Sequence, residues 1–148
     1  MAKASSETIS EAGDFKVDEV SITTSTGLVV DLLGSVMHIT FFESLENAAV
    51  TGSILITDHV NLVATGPIIG QEFIKLKLRT PGMSGENGVI DFSKNVLVVT
   101  SMKTRDNIGN GQQAVLLDFS SAEMLKNERT KLNSSYEGTC SELFRKIM

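Results

Sequence analysis

The clean alternation from Phe73 to Thr80 constrains this chain more than any other stretch. Ile74, Leu76 and Leu78 fall on one side, and Lys75, Lys77 and Arg79 fall on the other. That is the period of a strand with one dry and one wet face. The segment before it, from Ala48, is built to reach it. Val50 to Thr57 is a run of β-branched residues with Gly52 inside it, and Asp58 to Gly70 is a turn-rich crossing with one apolar patch, Pro67-Ile68-Ile69. Asp58 is placed to cap a single helical turn through Leu62 and Val63.

Further strands follow from the same periodicity. Phe15 to Thr24 holds apolar residues at Phe15, Val17, Val20 and Ile22, with a slip between Val17 and Val20 that a bulge at Asp18-Glu19 explains. Leu28 to Leu33 is an apolar run broken by Gly34-Ser35. In Val36 to Ser44, Met37, Ile39 and Phe41 share one face and His38, Thr40 and Phe42 the other. This strand and Val50–Thr57 are expected to form an antiparallel hairpin. Pro81 to Gly88 reads as a surface loop. Strand-like pieces lie within Val89–Thr104 and at Gln113–Phe119, with a turn expected at Asp106–Gly111. Helical patterns come last. Ser120 with Glu123 forms a capping-box pattern, with Ala122, Met124 and Leu125 inward. Thr139 to Met148 carries Leu143, Phe144 and Ile147 as an apolar stripe, with Thr139 or Ser141 as cap.

Evenly spaced strands followed by one or two short helices predict a mainly β fold, an antiparallel barrel or sandwich. The expected organisation is a flexible arm over 1–14, a β-barrel over 15–119 and a helical segment over 120–148. The helical segment reads as the start of a continuation.

The chain has 148 residues, 41% hydrophobic and 21% charged, within the range of one globular domain. A net charge of −5 with aromatics at 5% and no Trp argues against a nucleic-acid-binding face or a base-stacking platform. One cysteine, Cys140, allows no internal disulfide. The N-terminal run lacks the apolar core of a secretory signal, and no apolar run approaches the roughly 20 residues of a membrane helix.

Candidate chemistry is thin. His38 and His59 have no neighbouring His or Cys at metal-ligand spacing, although Asp58 adjoins His59. Cys140 lies in the first turn of a predicted helix, a position that can lower a thiol pKa, but without a histidine partner it reads as a small half-buried residue. There is no G-x-S-x-G elbow and no P-loop. Asn133-Ser134-Ser135 matches a glycosylation triplet, without weight for a chain with no secretory signal. No catalytic, cofactor-binding or metal residues are assigned, and no enzymatic activity is expected. The row Lys75, Lys77, Arg79 reads either as a solvated strand face or as a charged wall toward a lumen or a partner subunit.

The run from Ile39 to Thr80 resembles the opening domain of baseplate hub proteins from contractile-tailed, T-even-like bacteriophages. The shared pattern is the polar corner Glu43-Ser44-Leu45, the V-x-G-x-I-x-I-x-D strand from Val50 to Asp58, Asn61-Leu62, and the G-P-I-I-G-Q-E turn from Gly66 to Glu72. The segment from Leu116 to Met148 is similar to the strand, helix and linker that follow in such hubs. The resemblance implies a barrel of the phage tail-tube type and a structural virion protein, assembled in the host cytoplasm. It would form a ring joining tail tube to spike, with DNA passing through the lumen and no specific nucleic-acid binding. Hubs of that family are homotrimers with two barrel-like domains per chain. This sequence shows one barrel, so a homohexamer is the other expectation. The rival reading is a non-enzymatic β-barrel ligand-binding module, OB-like or carbohydrate-binding.

Overall fold

The structure, a computed structural model, describes residues 15–47, 49–58, 61–83, 88–109, 111–131, 135 and 137–147. The expected N-terminal arm, His59, residues 84–87 of the Pro81–Gly88 loop and Asn133-Ser134 lie outside them. Within the described residues the chain is mainly β. Its strands are β1 (Lys16–Thr23), β2 (Val29–Asp31), β3 (Val36–Phe42), β4 (Thr51–Asp58), β5 (Phe73–Arg79), β6 (Val89–Asp91), β7 (Leu97–Gly109) and β8 (Gln112–Ser121). The helices are α1 (Leu62–Thr65), α2 (Ala122–Arg129) and α3 (Cys140–Ile147). No helix among the described residues is long and apolar enough to cross a membrane.

All pairings are antiparallel, in the order β2-β1-β5-β7-β8-β4-β3, with β6 beside β5. The seam between β5 and β7 is only two residue pairs long, Phe73–Val98 and Ile74–Leu97. Two half-sheets therefore meet at a narrow join and curl around one core. The turn after β2 fastens their far margins at one end. The Leu32 amide donates to the Val20 carbonyl on β1 (2.9 Å), and the Thr57 amide on β4 donates to the Ser35 carbonyl (2.7 Å). The core holds Val20, Ile22, Ile54, Ile56, Ile74, Leu76, Leu97, Val99, Val115, Leu117 and Phe119, with Leu32 and Leu62 plugging its ends. Ile74, Leu76 and Leu78 all point inward, as the alternation predicts.

Gly52 has a steric reason for standing among β-branched residues. A Cβ there would lie 2.2 Å from the Thr40 carbonyl oxygen and 2.6 Å from the edge of the Phe119 ring. The missing side chain lets Phe119 lie across β4, where it meets Phe41 edge-on at 5.4 Å between ring centres; Phe41 in turn stacks on Phe92 at 5.9 Å.

Several expectations shift in detail. The β1 bulge falls at Asp18, where the register breaks between Val17 and Glu19. A second bulge, between Val36 and His38, was not anticipated. It gives the inward place to Val36 and leaves Met37 57% exposed, so Met37 does not share the face of Ile39 and Phe41. The Asp106–Gly111 turn is shorter than expected, because β7 continues to Gly109. Strand β8 runs on through Ser120 and Ser121, so the strand-to-helix boundary lies at 121/122.

Asp58 does serve α1, from three residues before the cap position. Asn61 occupies the cap position in a left-handed conformation (φ 53°), and both Asp58 carboxylate oxygens accept the Leu62 amide at 2.8 Å. The carboxylate is buried. Asp58→Ala is expected to cost about 1–3 kcal/mol, since it orphans a buried donor. Urea unfolding checks this, and a change under about 0.5 kcal/mol, the range of ordinary surface substitutions, would contradict it.

Candidate interaction surface

Three surface features could engage a partner: the charged face of β5, the free sheet edges, and a groove beside α2.

On β5 the cationic row is answered from both sides. The Arg79 guanidinium donates to Asp18 (2.8 Å), the residue that the β1 bulge turns outward. The Lys77 ammonium lies 3.4 Å from Asp91 on β6. Hydrogen bonds from the Ser93 side chain and backbone, and then Lys77, hold the Asp91 carboxyl down at about 2. Such exposed pairs contribute little to stability, because water screens them. The row is thus a mixed-charge face, with Lys75 exposed beside it.

The edges differ in how they are guarded. Strand β2 is three residues long. Beyond Val99, whose amide donates to the Glu72 carbonyl, β7 pairs with no strand on the β5 side among the described residues, and that stretch carries Lys103, Arg105 and Asp106 with three register breaks against β8. Short length, charge and bulges are the means by which exposed edges avoid pairing with other chains. Strand β3 has one bulge and none of the rest. Its sequence VMHITFF contains no Lys, Arg, Asp, Glu or Pro, and among the described residues it pairs only with β4. Met37 and Phe42 are exposed on it, Phe42 at 63%.

The third feature follows from register. Across the outer face, Val29, Thr23, Phe73, Val98, Ser120, Thr51 and Phe42 stand opposite one another in a single row. Helix α2 lies over the middle of that row. Val98 and Ser120 are buried, whereas Val29, Phe73 and Phe42 are exposed. The cover is incomplete, because no residue of α2 is fully buried, and Ala122, Met124 and Leu125 are only half-buried. On one side of α2 a groove of about 720 Å³ runs over Phe73 and Val98, with Leu125, Lys126 and Arg129 along it. A smaller cleft of about 250 Å³ reaches Ser120, whose buried hydroxyl has no hydrogen-bond partner.

The expected capping box of Ser120 with Glu123 does not form, because the cap position falls one residue later, at Ser121, which makes no side-chain capping bond. Ser120 belongs to β8, and Ser121 precedes the helix, where its hydroxyl accepts the Val50 amide (3.3 Å). Glu123 then falls at the second helical position. Hydrogen bonds from its own backbone amide and from Ser121 hold its carboxyl below the usual range. For α3, the choice between Thr139 and Ser141 resolves to Thr139. Its amide donates to Glu142 (2.9 Å), half of a capping box, and its backbone and side-chain bonds keep the Glu142 carboxyl low.

His38 is exposed on β3, and Cys140, expected to be half-buried, is exposed, because it opens a helix that packs little against the sheet. Among the described residues no group of three His, Cys, Asp or Glu gathers as metal ligands. Asp58 joins Asn61, Arg105 and Gln113 around a small polar cleft. There Arg105 donates to Asn61 (3.1 Å) and to Gln113, tying α1 to the β7–β8 hairpin.

One residue of consequence escaped the sequence reading. Glu72 is fully buried, and its carboxylate accepts three successive backbone amides, Ile69 (2.8 Å), Gly70 (2.9 Å) and Gln71 (3.2 Å). These amides make a concave anion nest, with Gly70 at φ +86°. The chain fills that nest with its own side chain, so the G-P-I-I-G-Q-E segment is a self-locking corner. Its backbone also holds β7, through the Val99 amide to the Glu72 carbonyl (3.0 Å). The signal available in the sequence was an acid immediately after a glycine turn.

No family model matches this chain, nor does any curated protein or solved structure.

Proposed function

We propose that this chain is a structural subunit of a contractile phage tail, a baseplate hub or tube-like component. Its barrel assembles with copies of itself into a ring between tail tube and spike, as a trimer or hexamer. The observation that carries this reading is the unguarded edge of β3, set against the charged and bulged edge of β7. An uncharged seven-residue edge in an otherwise protected sheet is what a strand pairing with another chain requires. The resemblance over Ile39–Thr80 supplies the identity of the assembly. In such a role the chain acts by position, and the tube and spike proteins of the same virion are its further partners.

Light scattering on the purified full chain, with electron microscopy of the eluted species, tests the reading. Closed rings are expected, and a monomer at every concentration would contradict it. The double variant His38→Lys, Phe42→Lys places charge on the edge without touching the core. It is expected to remain folded by circular dichroism and to need at least about tenfold more protein to assemble, a loss of roughly 1.4 kcal/mol.

A second reading, the ligand-binding module, draws on an apolar cleft of about 240 Å³ at the barrel end, lined by Phe15, Ile39, Phe41, Leu78 and Ile90. Its central ring, Phe41, is already engaged with Phe92 and Phe119. A glycan and oligonucleotide binding screen separates the two readings.

A further inference from the structure

We propose that α2 is a hinged cover, which swings off the outer face of the sheet about the Ser121–Ala122 junction while the barrel beneath stays folded. The inference goes beyond the ring reading and stands without it. The hinge is set by what is fixed on its near side. The Ser121 amide donates to the Val50 carbonyl (2.8 Å) and its hydroxyl accepts the Val50 amide (3.3 Å), which clamps the end of β8 beside the start of β4. The far side has no such clamp. Among the described residues no hydrogen bond or ion pair joins Ala122–Arg129 to the sheet beyond that junction, and Thr130 bonds back onto the Lys126 and Asn127 carbonyls.

A small apolar seat holds α2 down. Met124 and Leu125 supply it, and each is only half-buried. Met124 walls a cleft of about 240 Å³ toward Thr51, Leu125 walls the groove toward Phe73, and both reach the cleft at Ser120. The seat also has a polar flaw, because the buried Ser120 hydroxyl has no partner. An unpaired buried hydroxyl favours any state in which water reaches it, and opening creates one. Against opening stands the apolar area that Met124, Leu125 and Val98 would return to water. A helix of eight residues is marginal in water by itself, so α2 lasts only while the seat holds. Few buried contacts and no bonds across to the sheet mark a segment that opens well below global unfolding.

Opening changes what the molecule displays. Val98 and Ser120 join Phe73 and Thr51 in an exposed strip that runs on to Phe42, the register partner of Thr51 at the β3 edge. The closed helix withholds the middle of that strip. Helix α2 therefore sets how much apolar surface lies open beside the unguarded edge.

Hydrogen exchange on the dilute full chain tests the cover. In the wild type, the amides from Lys126 to Arg129 are expected to exchange at least about a hundredfold faster than those of Leu117 and Phe119 on β8. Ser120→Ala removes the flaw without touching α2, and should slow exchange of those helix amides about tenfold. In a Cys140→Ser background, Ser120→Cys should react with a small thiol reagent as fast as α2 opens, with the circular dichroism of the folded barrel unchanged. Helix exchange and labelling at position 120 both as slow as β8 exchange would overturn the proposal, since α2 would then leave only on global unfolding. Fast helix exchange that Ser120→Ala leaves unaltered would overturn it too, because the helix would then unwind in place. Should a variant fail to fold, slow helix exchange in the wild type alone overturns the cover, and fast exchange together with Ser120→Cys labelling supports it.

Discussion

Glu72→Ala is expected to lower the unfolding free energy by about 3–5 kcal/mol. Hydrogen bonds to a charged group contribute roughly 1.5–3 kcal/mol, and buried donors left empty cost a further 1–3 kcal/mol each. The Glu72 carboxylate accepts three amides in a fully buried position. Domain stabilities run about 5–15 kcal/mol, so roughly a fifth or more of the total is at stake. Glu72→Gln separates charge from shape. Oε2 serves Gly70 and Gln71 while Oε1 serves Ile69, so an amide can keep one set of bonds but must point a donor at another. Its expected cost lies between the wild type and alanine. Urea denaturation of the three proteins measures this. Equal stability of wild type and Glu72→Ala would mean that the corner from Gly66 to Glu72 is held by something else.

The second large effect is at Gly52. A methyl group there meets a backbone oxygen at 2.2 Å and an aromatic ring at 2.6 Å and 2.8 Å. Neither gives way cheaply, because Thr40 is paired in β3 and Phe119 sits at the centre of the core. Overpacking of this kind costs typically 1–3 kcal/mol and sometimes more. Gly52→Ala is expected to cost about 3 kcal/mol, a fall in Tm on the order of 10 °C for a domain of this size. Gly52→Val should not yield a folded barrel. Adding Phe119→Leu to Gly52→Ala removes the ring but not the carbonyl, so it should restore only part of the loss that the close contact causes. Thermal unfolding followed by circular dichroism reports both. A Gly52→Ala protein as stable as wild type would show that β3 and β4 can separate without cost.

Period carried most of the strand placement. Polar residues on the wet faces marked β5 and the slip in β1, so the bulge at Asp18 was legible. The bulge in β3 was not, because Val36 and Met37 are both apolar and no polar residue marks where the face changes. The turn chemistry of Asp106 to Gly111 was misleading for a different reason. The distal half of β7 is solvated along its free edge, and turn-forming residues are tolerated there in extended conformation. At the start of α2 two adjacent serines competed for the cap. The pairing of Ser120 with Val98 and Thr51 decided for the strand, and no local pattern reveals a partner about seventy residues away. Glu72 was hidden because an acid next to an alternating strand reads as solvent-facing. Only the curled turn before it shows that three amides converge there.

The surface was legible in its chemistry and not in its arrangement. The sequence shows the basic row on β5, but not that Asp18 and Asp91 flank it. It shows the apolar stripe of α3, but not the groove beside α2, which exists because α2 covers a cross-strand row only in part.

Amide hydrogen exchange across β3 tests the central claim most directly. The claim is that this edge is the one the molecule offers to its neighbours. If so, the β3 amides that do not bond β4 exchange quickly in dilute protein and become protected as concentration rises. The amides along Thr100–Gly109 of β7 that do not bond β8 stay unprotected throughout. Rapid exchange of the outer β3 amides at every concentration, in a sample that light scattering shows to be assembled, would contradict it.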